Sequence, residues 1–132
     1  MAVSPEDIER LRRGYAAFNE GGVDAIVGFL GADIELSDRQ SAPDRETHHG
    51  AAGIWKYFHS TMEAFSDMSL EPLEFIESGD RVVVVLRQLA RGRASGVEIE
   101  GQVAHVWTIA NGVPVQLKIY RDKNAAFEAL RS

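Results

Sequence analysis

The chain has 132 residues, of which 20 are acidic and 14 basic, giving a formal charge of -6, and it contains no cysteine. This length suits one folded domain with a substantial core and is too short for a second one. The acidic balance argues against a partner bound through its phosphate backbone, so we expect no nucleic-acid partner. Without cysteine, the chain can form no disulfide, catalytic thiolate or cysteine-based metal site.

The sequence has no apolar run long enough to span a bilayer. Its first fourteen residues, MAVSPEDIERLRRG, are too charged for a secretory signal peptide. We therefore expect a cytoplasmic protein that does not associate with membranes.

The first half of the chain predicts mostly helices. Ser4 and Pro5 are typical of a helix start, and the predicted helix ends near Gly21. Its apolar residues recur at helical spacing, namely Ile8, Leu11, Tyr15 and Phe18. A short second helix is predicted over residues 23–30, a brief strand over 33–38, a polar loop over 39–49 and a third helix over 50–65.

The second half predicts strands. A strand over residues 69–77 precedes a three-strand meander over 79–122, whose runs are rich in β-branched and aromatic residues. Asn111 and Gly112 tolerate the positive φ angles of a type I′ turn, so they predict a tight hairpin. Asp122 can cap a last helix over residues 124–130.

This order of elements predicts an α+β fold, with helices packed on one face of a curved antiparallel sheet. A sheet with one wet face alternates apolar and polar residues, yet residues 82–86 read VVVVL without a break. The second face must therefore be covered as well. Because no helix is left over for this role, we expect a homodimer packed through the outer sheet face.

Three stretches carry a resemblance to a known family: YAAFNEGGVDAIVGFLGADIELSD at 15–38, HHGAAGIWKYF at 48–58 and HVWTIANGVPVQLKIYRDKNAAFEAL at 105–130. In their order and in their glycine, aspartate and aromatic positions they resemble the NTF2-like superfamily, in its SnoaL-like and ketosteroid-isomerase-like branch. The resemblance implies a single cone-shaped domain over residues 1–132. It also implies a largely apolar pocket between the helices and the concave sheet face, and dimers formed through the sheet.

The resemblance to ketosteroid isomerases transfers only in part. Asp38 lies where those enzymes hold their aspartate base, and Tyr57 and Phe58 match aromatic pocket positions. The place of the catalytic tyrosine is Gly14, one residue before Tyr15. Ala104 stands at the place of the second oxyanion-hole group, so steroid isomerisation is not expected.

The same alignment divides the strands between two faces. The residues expected to face the pocket are Val83, Val85, Arg87, Leu89, Ala104, Val106 and Thr108, with Leu117 and Arg121 on the last strand. The residues expected to face a dimer partner are Val82, Val84, Leu86, His105 and Trp107. A shift of one residue in the register would exchange the two sets.

Asp38 is the first candidate for catalysis, because a carboxylate at an apolar pocket can abstract a proton or orient a water molecule. The alternative is a solvent-exposed aspartate that closes the strand. Arg87 interrupts an apolar face, so it needs an anionic ligand or a counter-charge such as Asp38, unless it points outward to solvent. Tyr15 offers a hydroxyl, or simply a core aromatic ring. His49, at the expected pocket mouth, offers an acid, a base or an exposed loop side chain, and no histidine cluster suggests a metal.

The sequence therefore predicts a protein that holds a small apolar or mixed-polarity organic molecule. If it is an enzyme, we expect cofactor-free proton transfer: an isomerase, a cyclase or a hydrolase with a positioned water. The alternative is a ligand-binding or accessory protein without catalysis, because this fold hosts many functions.

Overall fold

A computed structural model describes residues 2–39 and 47–131 of the chain. The helices of this part are α1 (Pro5–Gly21), α2 (Gly50–Met62) and α3 (Lys123–Arg131). The strands are β1 (Glu35–Asp38), β2 (Thr47–His49), β3 (Phe65–Ser78), β4 (Arg81–Gly92), β5 (Glu98–Ala110) and β6 (Val113–Tyr120). No helix within these residues has the length and apolar character needed to cross a membrane.

Three local predictions are confirmed at the ends of elements. The Ser4 hydroxyl accepts a hydrogen bond from the Asp7 amide, and the Asp7 carboxylate accepts one from the Ser4 amide, which forms a capping box at the start of α1. Asn111 and Gly112 have φ angles of 52° and 77°, as the β5–β6 hairpin requires. The Ala125 amide donates to the Asp122 carboxylate and caps α3.

The strands form one sheet in the order β2-β1-β6-β5-β4-β3. Strands β3 to β6 make the predicted antiparallel meander. Strand β1 pairs with β6 in parallel, so the expectation of a wholly antiparallel sheet is wrong at this one seam. The architecture is nonetheless the predicted α+β fold, with α1 and α2 on the inner face of the sheet.

Two boundaries and two elements differ from the sequence prediction. The segment over residues 23–30 forms two short 3-10 turns, Val23–Ala25 and Val27–Phe29, since Val27 and Gly28 are poor helix formers. Helix α2 ends at Met62, and Phe65 already belongs to β3. In the predicted loop over 39–49, Thr47–His49 forms β2, and residues 40–46 lie outside the described part.

The predicted assignment of the sheet faces is wrong by one residue. Inner positions of β4 and β5, including Val82, Val84, Leu86 and Trp107, pack in the main core with α1 and α2. The opposite set, Val83, Val85, Ala104 and Val106, forms a separate outer core. Because residues 82–86 are apolar without a break, their pattern cannot show which alternate residues face the helices. A buried polar residue identifies the inner face, because His105 has its hydrogen-bond partner, Tyr15, on α1.

Helix α3 covers the outer face. Ala126 is fully buried against the outer core, with Phe127 and Leu130 packed beside it. The argument that no helix remained for this face is therefore wrong, because the last helix of the same chain occupies its centre. The homodimer itself stays a prediction, to which the exposed apolar side chains of Leu73, Val97 and Ile99 are relevant.

Candidate functional site

A cavity lies between α1 and the inner face of the sheet. Its void, counted with its opening to solvent, is about 690 Å³, and the centre of a water molecule can occupy about 50 Å³ of it. Most of its lining side chains are apolar: Leu11, Phe18, Ile26, Phe29, Leu30, Ile34, Ile54, Phe58, Leu70, Ile109, Pro114 and Leu117. Phe58 and Leu117, two of the predicted ligand-contact residues, are among these lining residues.

Helix α1 forms one wall of the cavity through its buried stripe. Leu11, Tyr15 and Phe18 are spaced by four and three residues, which places them on one face of the helix. Gly14 also lines the cavity, and a methyl group added there would meet no atom within 4 Å. The missing side chain at Gly14 therefore leaves part of the cavity open.

The roof of the cavity is the segment with the two 3-10 turns. It contributes Ile26, Phe29 and Leu30 to the lining, although Phe29 is 39% exposed. The indole Nε1 of Trp55 on α2 donates a hydrogen bond of 2.7 Å to Asp24 at the start of this segment. The roof is thus tied to α2 by a single side-chain hydrogen bond among those described.

The inner wall carries a buried polar chain of three aromatic residues. Trp107 Nε1 lies 2.8 Å from the Tyr15 hydroxyl, which lies 2.7 Å from His105 Nδ1. The three side chains are 7%, 6% and 3% exposed. This arrangement satisfies the indole, the phenol and one imidazole nitrogen without water.

Burial sets the protonation of this chain. Desolvation lowers the pKa of His105 to about 3, so its imidazole is neutral at physiological pH. Desolvation also raises the pKa of Tyr15 far above its usual range, and the hydrogen bond from Trp107 opposes this only in part. Neither ring is charged in the cavity near pH 7.

The second imidazole nitrogen, His105 Nε2, makes no hydrogen bond to the described residues. His105 lines the cavity, and its only hydrogen bond to the described residues is through Nδ1. Within the described part, no fully buried side-chain nitrogen or oxygen lacks a partner. Nε2 is therefore not fully buried, and because His105 lines the cavity, we infer that Nε2 faces it.

The mouth of the cavity has a polar rim. Asp7, Arg10 and Gly112 line it, and the Arg10 guanidinium donates to the carbonyl oxygen of Gly112. Arg10 Nη1 also lies 3.9 Å from Asp7 Oδ1. Because these groups are already paired with one another, they narrow the opening of the cavity and do not present an unpaired charge to a ligand.

Asp38 lies outside this lining, in a second polar cluster. The Tyr57 hydroxyl on α2 donates to Asp38 Oδ2 at 2.5 Å, and the His48 ring centre is 5.3 Å from the Tyr57 ring. Burial, followed by the hydrogen bond and charge of Asp38, raises the pKa of Tyr57. The predicted Asp38 and Tyr57 thus come together, and neither lines the cavity.

Arg87 does not contact Asp38, and of the alternatives the sequence left open, the structure has the outward position. Arg87 lies on the outer face, 3.8 Å from Glu71 and 3.5 Å from Glu100, and its side chain is 44% exposed. The one-residue shift in register explains this position, because odd-numbered residues of β4 point away from the helices. Its counter-charges are the two glutamates of the neighbouring strands.

The same shift corrects the predicted ligand contacts on the strands. Val85, Leu89, Val106 and Thr108 lie on the outer side of β4 and β5 and do not line the cavity. Arg121, predicted to reach the pocket, has a side chain 76% exposed and lies beside Asp122.

At the other end of the sheet, His49 is also outside the lining. Its side chain is 67% exposed, and Nδ1 lies 3.8 Å from Glu35. Among the described residues, no group of three or more histidine and carboxylate side chains is arranged to hold a metal.

The residues that sequence reasoning placed wrongly are His105 and Trp107. They were assigned to a dimer interface, yet both line the cavity beside Tyr15. One signal was available: a histidine and a tryptophan two residues apart share one face of a strand, and a polar residue on an apolar face requires a partner. Tyr15 on the apolar stripe of α1 is such a partner.

Comparison with known proteins agrees with this architecture. The model of the SnoaL-like domain family matches residues 11–116 of the chain. No curated protein matches the chain closely enough to count as a relative.

Several solved structures are similar over nearly the whole chain. TerC, co-crystallised with polyporic acid, is 27% identical with a TM-score of 0.76, and the match covers 96% of this chain and 98% of TerC. An NTF2-like protein of unknown function from Burkholderia pseudomallei is 23% identical with a TM-score of 0.77, covering 98% and 100% of the two chains. A candidate SnoaL-like polyketide cyclase from Jannaschia sp. CCS1 is 18% identical with a TM-score of 0.74, covering 100% and 98%. The last two matches show the shared fold alone.

Proposed function

The chain belongs to the SnoaL-like domain family of the NTF2-like superfamily, and on this premise we propose that it binds a small, largely apolar organic molecule in the cavity between α1 and the sheet. The observation that carries the proposal is the cavity itself. Its lining is apolar except for the ion-paired Asp7 and Arg10 at the opening and the hydrogen-bonded chain of Trp107, Tyr15 and His105. An apolar lining with a few polar groups is the usual composition of a small-molecule site. TerC, the 27% identical structure, was crystallised with a small organic molecule, polyporic acid.

The size of the closed space predicts how a ligand enters. The volume of about 50 Å³ available to water centres is below the roughly 150 Å³ of an apolar cavity that holds benzene. A ring-containing ligand must therefore displace part of the lining. The roof is the part that yields, because it consists of short 3-10 turns and Phe29 is already 39% exposed.

Binding of ethylbenzene, followed by backbone amide shifts in two-dimensional NMR, tests this proposal. We expect the shifts to concentrate on the roof and on α1 and to saturate with ligand. Gly14→Leu fills the cavity from α1 and should weaken binding at least tenfold. Ala16→Leu places the same side chain on the exposed face of that helix and should leave binding unchanged. Equal binding by the two variants would show that ethylbenzene binds outside this cavity.

The second candidate function is cofactor-free proton transfer by Asp38, supported by its hydrogen bond from Tyr57. A carboxylate beside a bound carbonyl compound can remove a proton from the adjacent carbon. Because neither Asp38 nor Tyr57 lines the cavity, such a substrate would bind against these two side chains. Asp38→Asn should then abolish turnover while ethylbenzene binding in the cavity is retained. Unchanged turnover in this variant would exclude Asp38 as the base.

A further inference from the structure

The hydrogen bonds of Trp107, Tyr15 and His105 can run in only one direction. An indole nitrogen is a donor and never an acceptor. Because Trp107 Nε1 lies 2.8 Å from the Tyr15 hydroxyl, the Tyr15 oxygen must accept this bond. One lone pair of the phenol is therefore committed to Trp107.

The proton of Tyr15 then has one acceptor. His105 Nδ1 lies 2.7 Å from the phenol oxygen, and the Tyr15 side chain makes no other hydrogen bond to the described residues. If Nδ1 carried a proton, it would point at the same oxygen and leave the Tyr15 proton without an acceptor in a buried site. Tyr15 thus donates to Nδ1, and the neutral imidazole carries its own proton on Nε2.

We propose that Trp107 is the positioning residue that fixes His105 as a donor, so that the cavity selects uncharged apolar molecules carrying a hydrogen-bond acceptor, which receives Nε2–H. This inference rests on the proposed ligand-binding function and adds the polarity of the ligand. It assigns no base to the imidazole, because Nδ1 is occupied by Tyr15 and Nε2 is protonated. Trp107 acts through Tyr15 and His105 and does not itself bond to the acceptor atom.

The first test needs no substitution. The ¹⁵N shifts of the His105 ring distinguish a protonated Nε2 from a protonated Nδ1. We expect the Nε2–H tautomer in the free wild-type protein. Finding the Nδ1–H tautomer would overturn the proposal, whatever the protein binds.

The second test compares ethylbenzene with acetophenone, two molecules of nearly the same shape, of which only the ketone has an acceptor oxygen. One hydrogen bond is expected to make acetophenone bind about fivefold more tightly. Equal affinities would overturn the ligand class while leaving the binding function intact. Failure of both molecules to bind would refute the cavity as a ligand site, and the proposal with it.

The role of Trp107 is tested by the ratio of these two affinities. Trp107→Phe removes the donor to Tyr15, so we expect a mixed ring tautomer and a ratio that falls toward one. A purely structural role would change both affinities alike and leave the ratio at its wild-type value. Tyr120→Phe removes a hydroxyl group on the outer side of the sheet, away from the cavity lining, and should preserve both tautomer and ratio.

Discussion

Replacement of His105 by glutamine should remove a large part of the acid sensitivity of the fold. In the folded protein, burial lowers the pKa of His105 from 6.5 to about 3. The unfolded chain exposes the ring and binds a proton below pH 6.5, so it holds more protons than the folded chain between these two values. The contribution of neutral His105 to the free energy of unfolding is therefore fully present above pH 6.5 and is lost progressively as the pH falls toward 3.

The size of the effect follows from the two pKa values. At pH 5 nearly every unfolded molecule is protonated at His105, and nearly every folded molecule is not. The linkage relation then gives a loss of about 2 kcal/mol in the free energy of unfolding between pH 8 and pH 5. Because pH 5 lies well above the folded value, this loss depends almost wholly on the unfolded chain.

Urea unfolding at pH 8, 7, 6 and 5, followed by circular dichroism, measures this difference. The His105→Gln variant should be less stable at pH 8, because Tyr15 loses its imidazole partner, yet its stability should decline about 2 kcal/mol less on going to pH 5. His59→Gln, at an exposed position on α2, serves as the control and should follow the wild-type curve. Parallel curves for wild type and His105→Gln would show that the ring is solvated, and the buried chain with Tyr15 would be refuted.

Three further predictions concern other parts of the fold. Gly14→Ala should stabilise the protein by about 0.5–1 kcal/mol, because a helical glycine gains a methyl group that meets no atom within 4 Å. Gly22→Ala should instead destabilise it by about 1 kcal/mol, because Gly22 has a φ of 73°. Thermal unfolding of the two variants measures both effects, and two shifts of the same sign would contradict the backbone conformations given for these glycines. Tyr57→Phe should cost about 1 kcal/mol through loss of its hydrogen bond to Asp38, with Tyr120→Phe as the control on the outer face; equal losses would show that the Asp38 contact contributes nothing. Sedimentation velocity of the wild type and of Ile99→Glu tests the homodimer. If the wild type is a dimer that this substitution dissociates, the interface includes the exposed end of the β4–β5 hairpin. A monomeric wild type would refute the dimer.

The sequence alone determined the elements whose physics is local. The Ser4 and Asp7 capping box joins groups three residues apart, and the Asn111-Gly112 turn needs only two residues that tolerate positive φ. The apolar stripe of α1 follows from helical spacing. These features, with the order of helices and strands, were sufficient to indicate an α+β fold of the SnoaL-like type.

Only the tertiary structure decided which face of the sheet each strand residue occupies. Residues 82–86 are apolar at every position, so a strand with either phase buries the same kind of surface. The choice depended on a hydrogen bond between Tyr15 and His105, which are 90 residues apart in the chain. It also depended on α3, whose Ala126 is small enough to pack on the outer core.

The identity of the site followed from that choice. Once the faces of β4 and β5 are assigned, His105 and Trp107 line the cavity and Arg87 lies on the outer face beside two glutamates. A sequence pattern records which residues are polar, whereas their partners depend on how distant elements pack. A buried polar group must find its partner across the core, and the packing of α1 on the sheet determines which one it finds.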